Sequence, residues 1–365
     1  MAKLLTFPDV KEGEQFSIKE EDQGFITILH EHPEVKTLFN RRDRYPDTLE
    51  INGLNPVFHV MIEGIIENQI QEITGVREIY KKLHKEEGLT PHAARASIAR
   101  VFIPHFFAFL KEHKLFEQEA YVRRLSLIGA DVMNLGRNYS CPCGSGGKFK
   151  RCCAPFAEAF VVSSLAGRMD LGYGSYVLDV SQDMNDPLDP IFQLEARYHI
   201  SEFMETHADL EGAVEVLKEN IILAKDYEDG KFLQIAWQEY QFFCKNHGQF
   251  AQEAVNALEQ LLQFAGDDEQ KGTLICDKAD LLAKMGNMEA SETEYTKLFN
   301  TLPEFHYGRF RYVLMLSEYQ RDDDAKRSLI DLLSNRKIDK ETHEAAIALL
   351  KDFGEDTTEF EAISE

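Results

Sequence analysis

Four of the six cysteines of this chain lie within one short stretch, in the spacing C-x-C-x8-C-C, at Cys141, Cys143, Cys152 and Cys153. The residues between the two pairs are rich in glycine, which lets the backbone fold back so that the pairs can meet. Two close pairs of thiolates can complete a tetrahedral site around one zinc ion. The spacing therefore predicts a zinc knuckle whose metal is structural, because protein ligands fill all four coordination positions.

Two disulfides, or four unrelated thiols, are the alternative interpretation. The adjacent residues Cys152 and Cys153 cannot easily bridge each other, and the first ten residues contain no signal-peptide pattern. We therefore favour the metal site and expect a cytoplasmic protein with reduced thiols. Because zinc–thiolate closure supplies on the order of 10 kcal/mol, we expect the knuckle to be folded with metal and disordered without it.

The same stretch resembles the SEC-C motif, the zinc-binding tail of the SecA translocation ATPase, which recurs in many bacterial proteins. Where the usual form has Asp-Pro before the first cysteine, this chain has Tyr139 and Ser140. The residues that match the motif are Gly136, Arg137, Asn138, the run Cys141–Gly146, Lys148, Phe149, Lys150, Cys152 and Cys153. The resemblance implies a structural zinc ion and a knuckle that docks on other proteins.

The knuckle is basic, although the chain as a whole is acidic. Its cationic residues are Arg137, Lys148, Lys150 and Arg151. In the family that the motif resembles, such a knuckle docks on an acidic chaperone surface, a secretion factor or the ribosome. The first functional hypothesis is therefore an adaptor for protein quality control, secretion or translation. Ordinary solvation of a turn is the alternative explanation of these charges.

A second constellation lies in the N-terminal part of the chain. His59 and Glu63 are one helical turn apart on the same face of a predicted helix, Glu67 follows one turn later, and His92 begins a facing helix. His32 ends the first predicted helix. Imidazoles and a carboxylate at such positions are suited to a metal site inside a helical bundle. A metal-dependent enzyme centred on His59, Glu63 and His92 is therefore the second functional hypothesis.

Segments 32–35 and 55–59, together with the helix opened by His92, resemble a small uncharacterised bacterial family of helical proteins. In that family the helices carry H-x-x-x-H pairs. This chain has Glu63 and Ala96 where the second histidine of each pair would stand. Ordinary histidines satisfied near helix ends are the competing interpretation, and the sequence favours it over a functional metal.

Helix caps and apolar periodicity predict an all-α protein. We expect five regions: a helical bundle (1–134), the zinc knuckle (135–157), a helix and linker (158–190), a tetratricopeptide-like repeat domain (191–352) and an acidic tail (353–365). The Asn55-Pro56 pair predicts a strong helix start, Ser17 is a further predicted N-cap, and a helix is predicted from about Glu117 to Met133 before the knuckle. The glycine-, aspartate- and proline-rich stretch 167–190 is the predicted domain boundary.

The C-terminal half resembles a degenerate array of tetratricopeptide repeats. In its clearest unit, Ala279, Gly286, Tyr295 and Pro303 occupy the positions of the small residue, the interhelix turn, the aromatic residue and the terminal proline. Similar turns are predicted around Ala208, Gly248 and Gln320. A non-repetitive helical domain is the alternative. Stacked helix pairs would leave a groove that could bind a peptide.

The net charge of −23 lies entirely in residues 170–365, because residues 1–169 contain equal numbers of acidic and basic residues. Such an acidic half argues against non-specific DNA or RNA binding. The sequence has no apolar run long enough to cross a bilayer, so we expect no membrane insertion. It also contains no Walker loop, no G-x-S-x-G and no H-E-x-x-H, so we predict no catalytic residues elsewhere.

Overall fold

The structure is a computed structural model that describes residues 23–45, 50–51, 55–112, 116–160, 190–227, 230–335 and 337–361. These residues form helices, turns and isolated β-bridge positions such as the pair Ser140 and Lys148, which confirms the all-α fold class. Within these ranges, no helix combines the length and the apolar character needed to span a membrane. The chain divides into two compact units, Met1–Leu223 and Ala224–Glu365.

The first unit contains a bundle around α3 and α5. Asn55 caps α3 as predicted, because its side chain accepts a hydrogen bond from the Phe58 amide at 2.9 Å while Pro56 occupies the first turn. The described helices of this unit are α1 (Gln23–Glu31), α2 (Lys36–Asn40), α3 (Pro56–Glu72), α4 (Thr74–Lys81), α5 (Pro91–Glu112), α6 (Gln118–Leu125), α7 (Pro190–Thr206) and α8 (Leu210–Asp226).

Helix α3 is the central element of this bundle, because α1, α4 and α5 all pack against it. Its inward face buries apolar residues such as Val60, Ile62 and Ile66. His59 and Glu63 lie on buried positions of the same helix. Helix α3 therefore places two polar side chains in the interior of the bundle. Helix α5 runs through Pro104 without interruption.

The knuckle is part of the first unit and shares its core. Phe149, Cys153 and Phe160 belong to the same buried apolar cluster as Phe102 and Tyr121 of the bundle. The predicted helix from Glu117 to Met133 is wrong in its length, because α6 ends at Leu125. The chain then turns, with Gly129 at a φ of +84° and its amide donating to the Phe160 carbonyl at 2.8 Å. This hydrogen bond ties the end of the bundle to the segment after the knuckle.

Helices α7 and α8 begin in the range predicted for the repeat domain, yet α7 packs against the turn Pro33–Val35. Gln193 donates to Glu34 at 2.7 Å, and the Tyr45 hydroxyl donates to Asp209 at 2.6 Å. These contacts explain why the division between the units falls inside α8. The predicted linker lies almost wholly in residues 161–189, outside the described residues, as does the predicted helix start at Ser17.

The second unit consists of successive helices that are joined by short turns and contact one another in pairs. Its described helices are α9 (Gly230–Asn246), α10 (Ala251–Leu261), α11 (Asp268–Lys284), α12 (Met288–Thr301), α13 (His306–Glu318), α14 (Asp322–Leu333), α15 (Lys340–Asp352) and α16 (Thr358–Glu361). Contacts join α9 to α10, α11 to α12 and α13 to α14. The predicted turns at Ala208, Gly248, Gly286 and Gln320 all lie between helices, which confirms these positions.

Residues at the predicted repeat positions are buried in the second unit. Ala279, Ser291 and Tyr295 are fully buried, and Tyr295 donates to Asp280 through its hydroxyl. Gly286 adopts a φ of +82° in the turn between α11 and α12, a conformation in which a Cβ atom is strained. The packing therefore explains why small or aromatic residues occupy these sites. The tetratricopeptide interpretation itself stays a prediction.

We expect Gly286→Ala to lower the free energy of unfolding of the second unit by about 1–2 kcal/mol, because alanine must adopt the left-handed conformation. Gly248→Ala is the matched control, since Gly248 has no positive φ and open space around it. Urea unfolding can be followed by the fluorescence of Trp237, the single tryptophan, which lies in α9. Equal midpoints for the two variants would contradict the expectation.

Candidate metal centres

The four predicted cysteine ligands converge in the structure. The Sγ atom of Cys143 lies 3.4 Å from that of Cys141 and 3.5 Å from that of Cys152, and the Sγ atoms of Cys152 and Cys153 are 3.7 Å apart. All four sulfur atoms lie within 4.8 Å of one another. Because Zn–S bonds of about 2.3 Å in a tetrahedron separate the sulfur atoms by about 3.8 Å, this arrangement fits a single ion.

Local backbone structure brings the two cysteine pairs together. The Cys141 amide donates to the Gly147 carbonyl at 2.8 Å, next to the bridge between Ser140 and Lys148. Gly144 and Gly146 adopt φ values of +75° and +74°, and this conformation is unfavourable for a residue with a Cβ atom. The glycine-rich sequence is therefore required by the turn that closes the site.

A short 3-10 turn, Phe149–Arg151, directly precedes the second cysteine pair and positions it near the first pair. The Cys153 amide donates to the Phe149 carbonyl at 3.1 Å, and the ring of Phe149 is buried in the core of the unit. None of the six cysteines forms a disulfide, and Cys244 and Cys276 are buried. The four thiols of the knuckle can close around one metal ion with no open coordination position, which suits a structural role.

The basic residues predicted on the knuckle are exposed. Among the described residues, no carboxylate lies within ion-pair distance of Arg137, Lys148, Lys150 or Arg151. The Lys150 amide donates to the Arg137 carbonyl at 3.0 Å, so the two basic segments lie side by side. Tyr139 is 67% exposed beside them. The knuckle thus presents cationic and aromatic side chains to solvent.

A second cluster assembles in the interior of the bundle. The sequence grouped His59, Glu63 and His92 as a hypothetical metal site. In the structure His32 joins them, and one donor atom of each of the four residues lies within 4.8 Å of the other three donor atoms. Each of the four side chains is at most 4% exposed. His32 comes from the chain just after α1, His59 and Glu63 from α3, and His92 from the start of α5. Three segments of the first unit therefore meet at this cluster.

The Glu63 carboxylate is the centre of this cluster. Its Oε1 atom lies 2.7 Å from Nδ1 of His92 and 3.6 Å from Nε2 of His59, and its Oε2 atom lies 3.4 Å from Nε2 of His32. The Arg95 Nε donates to Oε2 at 3.2 Å. Glu67, the next acidic residue along α3, lies 3.7 Å from the Arg95 guanidinium and is not a member of the cluster.

A second layer of hydrogen bonds orients these residues. Nδ1 of His32 lies 3.2 Å from Glu34, whose other oxygen accepts a hydrogen bond from Gln193 at 2.7 Å. Glu34 and Gln193 are themselves buried. The Arg95 guanidinium also pairs with Glu31. These neighbours therefore hold the His32 ring and the Glu63 carboxylate in the orientations that direct them at the cluster.

Electrostatics keep Glu63 ionised in this interior. Burial on its own would raise the pKa of its carboxyl group, but the charges of His92 and Arg95 and the hydrogen bond from His32 hold the pKa well below its ordinary value. Burial lowers the pKa of His59, whereas hydrogen bonds to Glu34 and Glu63 outweigh burial at His32 and raise its pKa to about 9. The carboxylate thus carries a full negative charge for its neighbours to balance.

Sequence reasoning placed His32 at the end of a helix but missed it as a member of the cluster. The available signal was the H-P-E run at His32, in which a carboxylate two residues later can orient the ring. Ala96 stands where a further histidine would be expected, and it is buried in the apolar core outside the cluster. The i,i+4 pair of His59 and Glu63 was the informative pattern, because residues four apart lie on the same face of a helix however that helix packs.

One comparison with known proteins identifies the knuckle. A family model for the SEC-C motif matches residues 137–155, which contain all four clustered cysteines. The match and the cluster together indicate metal binding by this segment. No solved structure matches the chain.

We expect the full-length protein to carry one equivalent of zinc at the knuckle and Cys153→Ser to lose it, because three thiolates no longer close the site. Elemental mass spectrometry on the native protein measures the metal content. Cys276→Ser is the matched control, since Cys276 is a buried thiol in α11 of the second unit and should leave the zinc content unchanged. Equal zinc contents in the two variants would rule out this ligand assignment.

Proposed function

We propose that the protein is an adaptor whose zinc-stabilised knuckle docks on an acidic surface of a partner protein. The observation that carries the proposal is the set of exposed basic side chains on the knuckle, Arg137, Lys148, Lys150 and Arg151, for which the described residues supply no ion-pair partner. Zinc is the metal that four clustered thiolates favour in reduced surroundings, which fits a cytoplasmic location.

The arrangement of the charges supports binding rather than simple solvation. The backbone of the knuckle is fixed on one side by the buried ring of Phe149 and on the other by the hydrogen bond between Lys150 and Arg137. Its cations are therefore held near one another before a partner arrives. Preorganised charges raise the association rate and select a partner of opposite charge. The exposed ring of Tyr139 adds an aromatic contact of the type enriched at interfaces.

The SEC-C motif supports a partner class. The resemblance of the knuckle to the tail of the SecA translocation ATPase favours a chaperone or a secretion factor, and the ribosome is a further member of the same class of acidic targets. In each case the partner surface must be negative. A knuckle with this charge would be repelled by a basic protein, so the sign of the partner's surface is the discriminating property.

The second unit supports a second binding surface. A cavity of about 670 Å³ lies where the start of α11, the turn before α13 and the start of α15 come together. Its lining includes the acidic residues Asp268, Glu269, Glu304, Asp339 and Glu341. A groove of this size and charge fits an extended basic peptide. An adaptor of this kind would hold an acidic partner at the knuckle and a basic segment at the second unit.

We expect the triple charge reversal Lys148→Glu, Lys150→Glu, Arg151→Glu to lower partner recovery at least several-fold, because attraction at the knuckle becomes repulsion. Recovery is measured by affinity capture from a bacterial lysate with quantitative mass spectrometry, at low and at high salt. The matched control reverses Lys81, Lys85 and Arg123, which are exposed in the same unit and change the net charge equally.

The control should recover the partner as the wild type does, and recovery by the wild type should fall with added salt. Cys153→Ser should behave like the triple reversal, because a knuckle without metal no longer presents its charges in one arrangement. Equal recovery by the wild type and the triple reversal would overturn the docking proposal. Capture of ribosomal particles, sensitive to the same reversal, would identify the ribosome as the acidic partner.

A further inference from the structure

We propose that His32, His59, Glu63 and His92 bind one first-row transition-metal ion, which fastens three segments of the first unit together. This would be a second metal centre, separate from the knuckle and independent of the adaptor function. The inference is drawn from the convergence of four buried donor atoms on one point and from the side chains that hold them there.

The spacing of the donor atoms fits one ion. Bonds of about 2.0–2.1 Å to nitrogen or oxygen, in a tetrahedral arrangement, separate neighbouring donors by about 3.4 Å. The distances from the Glu63 oxygens are 3.4 Å to His32 Nε2, 3.6 Å to His59 Nε2 and 2.7 Å to His92 Nδ1. These three distances lie on either side of that value, and one donor atom of each of the four residues lies within 4.8 Å of the other three, so the four donors can face one common centre.

The second layer has the form that protein metal sites use. A histidine ligand ordinarily donates its other ring nitrogen to a carboxylate, which fixes the ring and raises its basicity. Nδ1 of His32 faces Glu34 at 3.2 Å, which leaves Nε2 directed at the cluster, and Gln193 holds Glu34 in turn. Arg95 holds Oε2 of Glu63 and so fixes the orientation of the carboxylate.

The charges of the interior favour a cation at this point. Glu34 and Glu63 are both fully buried carboxylates, and the buried guanidinium of Arg95 is shared with Glu31 and Glu67 at the edge of the cluster. Histidines bind a metal as neutral imidazoles, so a divalent ion would take the place of the protons that otherwise help to balance the two carboxylates. Burying charge without such compensation costs several kcal/mol per ion.

The donor set identifies the class of metal. Three imidazole nitrogens and one carboxylate suit zinc, iron(II), cobalt(II) or nickel(II), whereas calcium and magnesium require mainly oxygen ligands. Since the four side chains are at most 4% exposed, a substrate has no direct path to the ion. The geometry therefore favours a structural ion that links the end of α1 to α3 and α5, in place of the metal-dependent enzyme hypothesised from the sequence.

The test uses the full-length chain, stripped of metal and titrated with Co²⁺. We expect two equivalents to bind: one at the knuckle, with the charge-transfer absorption of cobalt–thiolate bonds, and one without it. His59→Ala should abolish the second equivalent and leave the thiolate absorption intact, and a helical circular dichroism spectrum equal to that of the wild type shows that the chain has folded. His30→Ala is the matched control, because His30 is exposed on α1, and it should bind both equivalents.

Glu34→Gln provides a second test that preserves the shape of the site. Loss of an orienting carboxylate weakens metal binding about 10–100-fold, so the second cobalt affinity should fall by that factor while the knuckle affinity stays unchanged. If His59→Ala shows no thiolate absorption because it does not fold, the second cobalt affinity of Glu34→Gln decides whether the site binds metal. Uptake of only one equivalent by the wild type, or an unchanged second affinity in Glu34→Gln, would overturn the proposal.

Discussion

The burial of one ionised carboxylate constrains the architecture of the first unit. Glu63 is fully buried on α3, where an uncompensated negative charge would oppose folding. Its compensation comes from His32 after α1 and from His92 and Arg95 on α5. The positions of α1 and α5 against α3 are therefore set by charge as well as by apolar packing. An apolar core alone would tolerate a shift of one helix along another, whereas these polar contacts fix the register.

The knuckle is stabilised in a different way from the bundle, because a segment of about twenty residues is too short to build a core of its own. It buries Phe149 in the core of the bundle and brings its four cysteines close enough together to hold one metal ion. Nearby, the Phe156 ring stacks on His105 at 5.3 Å and lies under the Arg124 guanidinium. The inner side of the knuckle is thus committed to packing, whereas its four basic side chains are exposed.

The features that sequence predicted best are those fixed by neighbouring residues. Cysteine spacing located the four-thiol cluster, Asn55-Pro56 located the start of α3, and the turns at Gly286 and Gln320 followed from local composition. The end of α6 was mispredicted because its apolar pattern continues after Leu125, although a tertiary hydrogen bond from Gly129 favours a turn. The role of His32 and the packing of α7 on the first unit depend on contacts between residues far apart in sequence, which periodicity does not report.

Helix α5 connects the two clusters and determines how far each depends on the other. His92 lies in its first turn, and the helix also contacts the turn Ala154–Phe160, where Arg100 from the middle of the helix donates to the Glu158 carbonyl at 2.8 Å. At about 1.5 Å per residue, His92 and His105 are about 20 Å apart along the helix, a distance at which two unit charges interact by less than about 1 kcal/mol at an effective dielectric constant of about 20. Charge at one cluster therefore has little direct effect on the other. Coupling would require α5 to move as a body, and the close-packed residues around Ala99 and Phe102 oppose such a movement. Loss of metal from the knuckle should consequently disorder the knuckle while the histidine cluster keeps its arrangement, because the groups that orient it lie on the bundle and on α7.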